Sequence, residues 1–176
     1  MAEALRIHAH VRATWPESER QQLALALTEA DAAARADEDA LFLSRRPCVF
    51  LSAGRCSIYA VRPLACRGHA SFSRSACADA HAAPDEFERS DAVPVDEALR
   101  LAKNEIKTTL GIVMLEAGLH AIDCELGSLL HRLDQEPEIE RAWLAGADLL
   151  THLDCHALAS AQASLDELIE LAQGPH

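Results

Sequence analysis

Apolar side chains recur three and four residues apart over most of this sequence, the spacing of one face of an α-helix. The clearest run is Leu99, Ala102, Ile106, Leu110, Val113 and Ala117. It predicts a long helix over about 95–117, the expected main core helix, with Asp96 and Glu97 in its first turn and Gly118 as its stop. Leu126, Leu129, Leu130 and Leu133 mark a further helix. Pro137 opens a short one bearing Ile139, Trp143 and Leu144, stopped at Gly146. Near the start, residues 2–13 fit one helix and residues 15–35 another, the second presenting Leu23, Leu27 and Ala30 on one side. Thr14-Trp15-Pro16-Glu17 and Ser164-Leu165-Asp166-Glu167 have the spacing of capping boxes, in which the hydroxyl and the carboxylate each satisfy a free backbone N–H. The second would open a C-terminal helix ending near Gly174.

The helical period lapses between Arg45 and Cys77. Val49-Phe50-Leu51 and Ser57-Ile58-Tyr59 have β-type composition and flank Ser52-Ala53-Gly54-Arg55, which predicts a small hairpin with Gly54 free to take a positive φ. Pro63 ends any strand by removing a donor. Ser73-Arg74-Ser75 is the expected start of a short helix carrying Cys77. Residues 83–94, with Pro84 and Pro94 among acids and small residues, form a linker. The expected fold is therefore mainly α: a single helical domain over 1–176, with a small cysteine-rich hairpin and loop segment at 45–77. A helical core at 95–146 and a C-terminal helical extension at 150–176 complete it.

Composition narrows the architecture. The chain is 49% hydrophobic but only 4% aromatic, which favours packed helices over a sandwich or barrel. Its net charge of −12 is unevenly spread. No Asp or Glu occurs from Ala40 to Ala78, whereas Arg45, Arg46, Arg55, Arg62, Arg67 and Arg74 all lie there. An acidic chain without a long basic face is a poor nucleic-acid binder, so no nucleic-acid partner is expected. The opening MAEALRIHAH has no continuous apolar run of the secretory type, and no stretch is long enough to span a bilayer. The expected location is cytoplasmic, without a membrane partner. There clustered cysteines are more often metal ligands or redox groups than structural disulfides.

Four of the six cysteines, Cys48, Cys56, Cys66 and Cys77, lie in the acid-free segment. They meet the ligand count of a zinc site or an iron–sulfur cluster, and His69 is a spare donor. Their spacing is wider than that of C-x-x-C knuckles. The plain alternative for each is a small buried hydrophobe. Arg55, Arg62 and Arg67 are expected to offset thiolate charge and to lower thiol pKa values. A regular hairpin would pair Leu51 with Cys56 and Cys48 with Tyr59, sending Cys48 and Cys56 to opposite faces. A shared metal then requires a bulge at Gly54 or a looser turn. Tyr59 is expected to pack under the hairpin, and Arg62 to tie the loop to an acid. His152, Cys155 and His156, and His120 with Cys124 and His131, have helical ligand spacings but are expected to be core-edge or solvated side chains. No G-x-S-x-G, phosphate-binding glycine loop or H-E-x-x-H occurs, so no catalytic motif is identified.

The run C-x-F-L-x-x-G-x-C-S-I-Y-x-x-R-P-L-x-C-R from Cys48 to Arg67 resembles the YkgJ-type cysteine-cluster family, described as a zinc- or iron-chelating domain. Phe50, Leu51, Gly54, Ile58, Tyr59, Arg62 and Pro63 carry the likeness along with the cysteines. Residues 95–146 look like the family's C-terminal half, and residues from about 150 onward are not covered. Family members usually open with a C-x-x-C-x-x-C-C head. Its sequel resembles residues 2–15 here but the head itself is missing, which implies either a start upstream of Met1, the favoured expectation, or a chain that has lost half of the presumed ligands. The resemblance implies a metal-binding protein holding zinc or iron, or an iron–sulfur cluster, with Cys48, Cys56, Cys66 and Cys77 as ligands. It extends to a flagellin lysine methylase, so an iron-dependent protein-modifying enzyme is one alternative. A scaffold that binds a protein partner and has lost its metal is another.

Overall fold

A computed structural model describes residues 1–36, 46–82, 93–151 and 161–173. The acids at Asp37, Glu38 and Asp39, most of the 83–94 linker, and the His152, Cys155 and His156 set lie outside the described residues. Within them the protein is mainly helical. In order come α1 (Ala2–Thr14), α2 (Glu17–Ala36), β1 (Leu51–Ser52), β2 (Arg55–Cys56), a 3-10 turn (Tyr59–Val61) and α3 (Leu64–Arg67). They are followed by α4 (Arg74–Ala82), α5 (Glu97–Glu116), α6 (Leu126–Gln135), α7 (Ile139–Leu144) and α8 (Ala161–Gln173). No described helix is long and apolar enough to cross a membrane.

The centre of the core is α6, not the long helix. Leu129, Leu130 and Leu133 are buried on α6, which packs against both α1 and α2. Ile7 and Val11 from α1 and Leu23 and Leu27 from α2 meet them, with Ile139 and Trp143 of α7 closing one end. Each fully buried residue of this kind contributes roughly 1.5–3 kcal/mol by leaving water. By contrast α5, expected to be the main core helix, buries only Gly111. Ile106 is 52% exposed and Val113 54%. The reason lies in the neighbours: α5 packs chiefly on α8, where a Cβ on Gly111 would lie 2.7 Å from Leu168 Cδ1. A periodic apolar stripe reports helical structure, but the depth of its burial depends on how many elements reach it.

Helix ends follow local chemistry in most places. Asp96 caps α5 by accepting from the Leu99 N–H at 3.0 Å, and Glu125 caps α6 by accepting from the Ser128 N–H at 2.6 Å. Gly118 (φ +73°) and Gly146 (φ +86°) end α5 and α7 with the paired backbone bonds of a Schellman stop. Neither capping box forms. Thr14 Oγ1 donates to the His10 carbonyl inside α1, while Glu17 turns to Arg20 and Gln21. Ser164 falls inside α8, which starts earlier, at Ala161.

Phe50 and Ile58 anchor the cysteine segment in the core, at 3% and 2% exposure. Trp15, at the corner between α1 and α2, meets Phe50 edge to face with ring centroids 6.3 Å apart. The hairpin segment therefore sits against the first two helices with Phe50 and Ile58 inward, Cys56 half-buried against the core, and Leu51 and Cys48 exposed.

Candidate metal centre

The hairpin pairs Leu51 with Cys56 and Ser52 with Arg55, the register anticipated for the inner pair. Its connection is a two-residue turn, with Ala53 at φ +48° and Gly54 at φ +74°. Two successive positive φ values characterise the type I′ turn, whose twist matches that of the flanking strands. Beyond these two pairs a single backbone bond continues the hairpin, from Ser57 N–H to the Phe50 carbonyl at 2.9 Å. Leu51 N–H returns to the Cys48 carbonyl at 2.8 Å, so the chain turns before Cys48 instead of continuing opposite Tyr59. That turn releases Cys48 from strict strand alternation, which would otherwise send it to the face opposite Cys56. The looseness expected near Gly54 is found instead at residues 48–51.

Cys66 arrives from a different element. Pro63 is the N-cap residue of α3, a single turn that carries Cys66 and ends at Gly68. Gly68 lies so close to α5 that a Cβ there would come within 2.5 Å of the Lys103 Cβ and Cγ. The Arg67 guanidinium holds the approach to α3 in place, its Nε donating to the Arg62 carbonyl at 2.8 Å and its Nη2 to the Ala60 carbonyl at 3.0 Å. Glu3, 61 residues away on α1, accepts from the Leu64 N–H at 2.6 Å. The first helix thus fixes the turn that presents Cys66.

Three thiols come within electrostatic reach of one another by this route. The Cys66 thiol is pushed above the ordinary thiol range by partial burial first, and then by the negative charges of Cys48 and Cys56. Arg62 pulls in the opposite direction and Glu3 adds to the rise. Arg62 thus lowers this thiol's pKa as expected, but the net shift is upward. Arg67 is committed to carbonyl oxygens, and Arg62 alone does not outweigh burial and two like charges. Cys48 and Cys66 are exposed, and Cys56 is half-buried. Cys77, half-buried on α4, is not among the groups acting on Cys66. His69 is exposed.

Donor chemistry and donor placement differ here. Thiolates are the ligands zinc and iron–sulfur clusters take, and their mutual repulsion is relieved by a divalent cation. Tetrahedral zinc with bonds near 2.3 Å needs sulfurs roughly 3.8 Å apart. Among the described residues, no group of three or more His, Cys, Asp or Glu side chains is close enough to hold a metal ion. The thiols converge without closing a coordination shell.

Two expectations about neighbouring side chains fail. Tyr59 is 63% exposed and does not pack under the hairpin. Among the described residues Arg62 makes no link to an acid and its buried Nε has no hydrogen-bond partner; its Cζ lies 4.2 Å from the centre of the Tyr59 ring. His120 does prove to be a core-edge residue. Its Nδ1 accepts from the Leu149 N–H at 2.9 Å, and its carbonyl accepts from Trp143 Nε1 at 2.9 Å. Sequence reasoning missed Glu3. A segment without acids must draw any carboxylate from elsewhere, but nothing in the sequence singled out Glu3 among 28 acids.

Residues 9–93 match the family model of the CxxCxxCC domain, described as "Putative zinc- or iron-chelating domain". That segment, just under half of the chain, is similar to this family. The match takes in α2, the hairpin and all four candidate cysteines, and stops before α5. The comparisons with curated proteins and with solved structures gave no match.

Proposed function

We propose that this protein binds a zinc or iron ion through Cys48, Cys56 and Cys66, with Cys77 supplying a fourth thiolate after movement of α4. The observation that carries this reading is that Cys48 and Cys56, from a turn and a strand, both act electrostatically on Cys66, from a separate helical turn. A structural role for cysteines would favour burial as small hydrophobes, but Cys48 and Cys66 are exposed. Similarity to the family supports a metal over any other ligand.

A bound ion would supply positive charge to neutralise the thiolates, and with iron it would also supply redox capacity. The chain's own residues do the rest. The 48–51 turn frees Cys48, Glu3 and Arg67 hold α3, and Phe50 and Ile58 seat the hairpin on the helices. Deprotonation of Cys66 is held back until a cation arrives, so metal binding should release protons.

The test is anaerobic purification of the full chain with zinc and iron analysis and a visible spectrum. Zinc gives no colour, and an iron–sulfur cluster absorbs in the visible. Cys56→Ser and Cys66→Ser should each reduce metal content by at least half. Unchanged stoichiometry in both variants would refute the assignment.

A further inference from the structure

We propose that Arg55 and Arg62 form a receptor for an oxyanion, a carboxylate or a phosphate group, beside the thiols. The two guanidinium side chains line one open hollow of about 460 Å³, together with Gly54, Cys56 and Tyr59.

The case rests on where these two guanidiniums lie, because Arg6, Arg12, Arg46 and Arg74 also have no side-chain hydrogen bond or ion pair among the described residues but do not line this hollow. Arg20, Arg35, Arg100, Arg132 and Arg141 each pair with a carboxylate, and Arg67 binds two carbonyls. Among the described residues neither the Arg55 nor the Arg62 side chain has a hydrogen bond or ion pair, in a chain with 28 acidic residues. The Arg62 Nε–H is buried and has no acceptor, a state that proteins rarely tolerate without a ligand-related reason.

The geometry suits an incoming anion. The Arg62 Cζ lies 4.2 Å from the Tyr59 ring centre, a cation–π contact that restrains the guanidinium beside the hollow. A planar fork held in advance loses little freedom when it grips two oxygens. Arg55 follows the tight turn on β2 and brings a second cation to the same hollow. Gly54 keeps the rim open, because nothing lies within 4 Å of where its Cβ would be. Two guanidiniums select for a group with two or three charged oxygens. Cys56 in the wall puts the bound anion next to the proposed metal, although recognition by the arginines needs no metal.

The experiment uses the full chain made metal-free with chelator and reductant. Arginine Nε–H resonances are followed by nuclear magnetic resonance at constant ionic strength, with inorganic phosphate in one titration and succinate in another. The expected result is a saturable shift of the Arg62 Nε–H with at least one anion. A preference for phosphate assigns the site to phosphate groups, and a preference for succinate to carboxylates. Arg62→Gln and Arg55→Gln should each weaken binding about tenfold or more, while Arg46→Gln leaves it unchanged. Arg55 is outside the contact with Tyr59, so its variant keeps the test decisive if Arg62→Gln disturbs the turn. Shifts that grow linearly with both anions, or equal affinity in folded Arg55→Gln and wild type, overturn the proposal. A chain that binds phosphate but never takes up metal sustains this inference and removes the metal reading.

Discussion

Replacing Glu3 isolates the contact by which a remote helix positions Cys66. Its carboxylate accepts from the Leu64 N–H at 2.6 Å, the first residue of α3. Glu3→Ala leaves that part-buried donor without its charged partner. Hydrogen bonds to charged groups contribute about 1.5–3 kcal/mol. Partial exposure places this one near the lower end, so the expected loss is about 1–2 kcal/mol. Glu3→Gln keeps an acceptor and should cost about half as much. Glu3 also lies in the first turn of α1, where a negative charge favours the helix by about 0.3–1 kcal/mol. Glu19→Gln, in the first turn of α2, measures that contribution alone. Urea unfolding of the reduced chain at pH 7 gives the stability differences. A second readout separates this contact from general loosening. Glu3 is one of the charges that raise Cys66, after burial and the two thiols, so Glu3→Gln should shift the alkylation midpoint of Cys66 to lower pH. Equal stability of Glu3→Ala and Glu19→Gln, with an unmoved midpoint, would refute the reasoning.

Other expectations follow from individual contacts. Gly54→Ala places a Cβ at φ +74° in open space, so only backbone strain remains; it should cost about 1 kcal/mol by thermal unfolding. Trp143→Phe keeps most of the buried ring but leaves the His120 carbonyl without its 2.9 Å donor, a loss of about 1–3 kcal/mol that urea titration would measure. His8 is held below the usual histidine range by burial first and by Arg12, against Asp134 and Glu140, and its buried Nε2 has no partner. The fold therefore prefers the neutral ring. The contribution is fully present above the unfolded pKa near 6.5 and is lost as pH falls below it. His8→Gln should flatten the decline in stability between pH 7 and 5, and an unchanged slope would contradict this. Asp148 is held below the usual carboxylate range by the Thr151 and Leu150 N–H groups and by His120. Its contribution is present above pH 4 and lost as pH falls further, so Asp148→Asn should show a shallower acid transition.

Most of the helices were legible because their cues are local. Asp96, Gly118, Pro137 and Gly146 mark ends that depend on only a few neighbouring residues. Burial was less legible, because it depends on partners far away in the sequence. The apolar stripe of α5 looked like a core face, yet α6, with a shorter pattern, holds the centre because α1 and α2 enclose it from two sides. The candidate site shows the same division. Gly54 and the inner hairpin pair followed from turn chemistry, but the release of Cys48 by a backbone bond at 48–51 did not. The raised Cys66 was missed for a physical reason. Arginine count in a segment says nothing of where guanidiniums point, and Arg67 turned to carbonyl oxygens.

The seating of Phe50 and Ile58 also separates folding from loading. In a miniature zinc module the ion substitutes for a hydrophobic interior, and chelation unravels the chain. Here that hairpin is clamped from beneath by Trp15 and the first two helices, with Cys56 half-buried at its base and Cys48 and Cys66 exposed beside it. Loss of any ion held there would leave this hydrophobic interior in place, so the helical scaffold should keep its fold when a chelator is added.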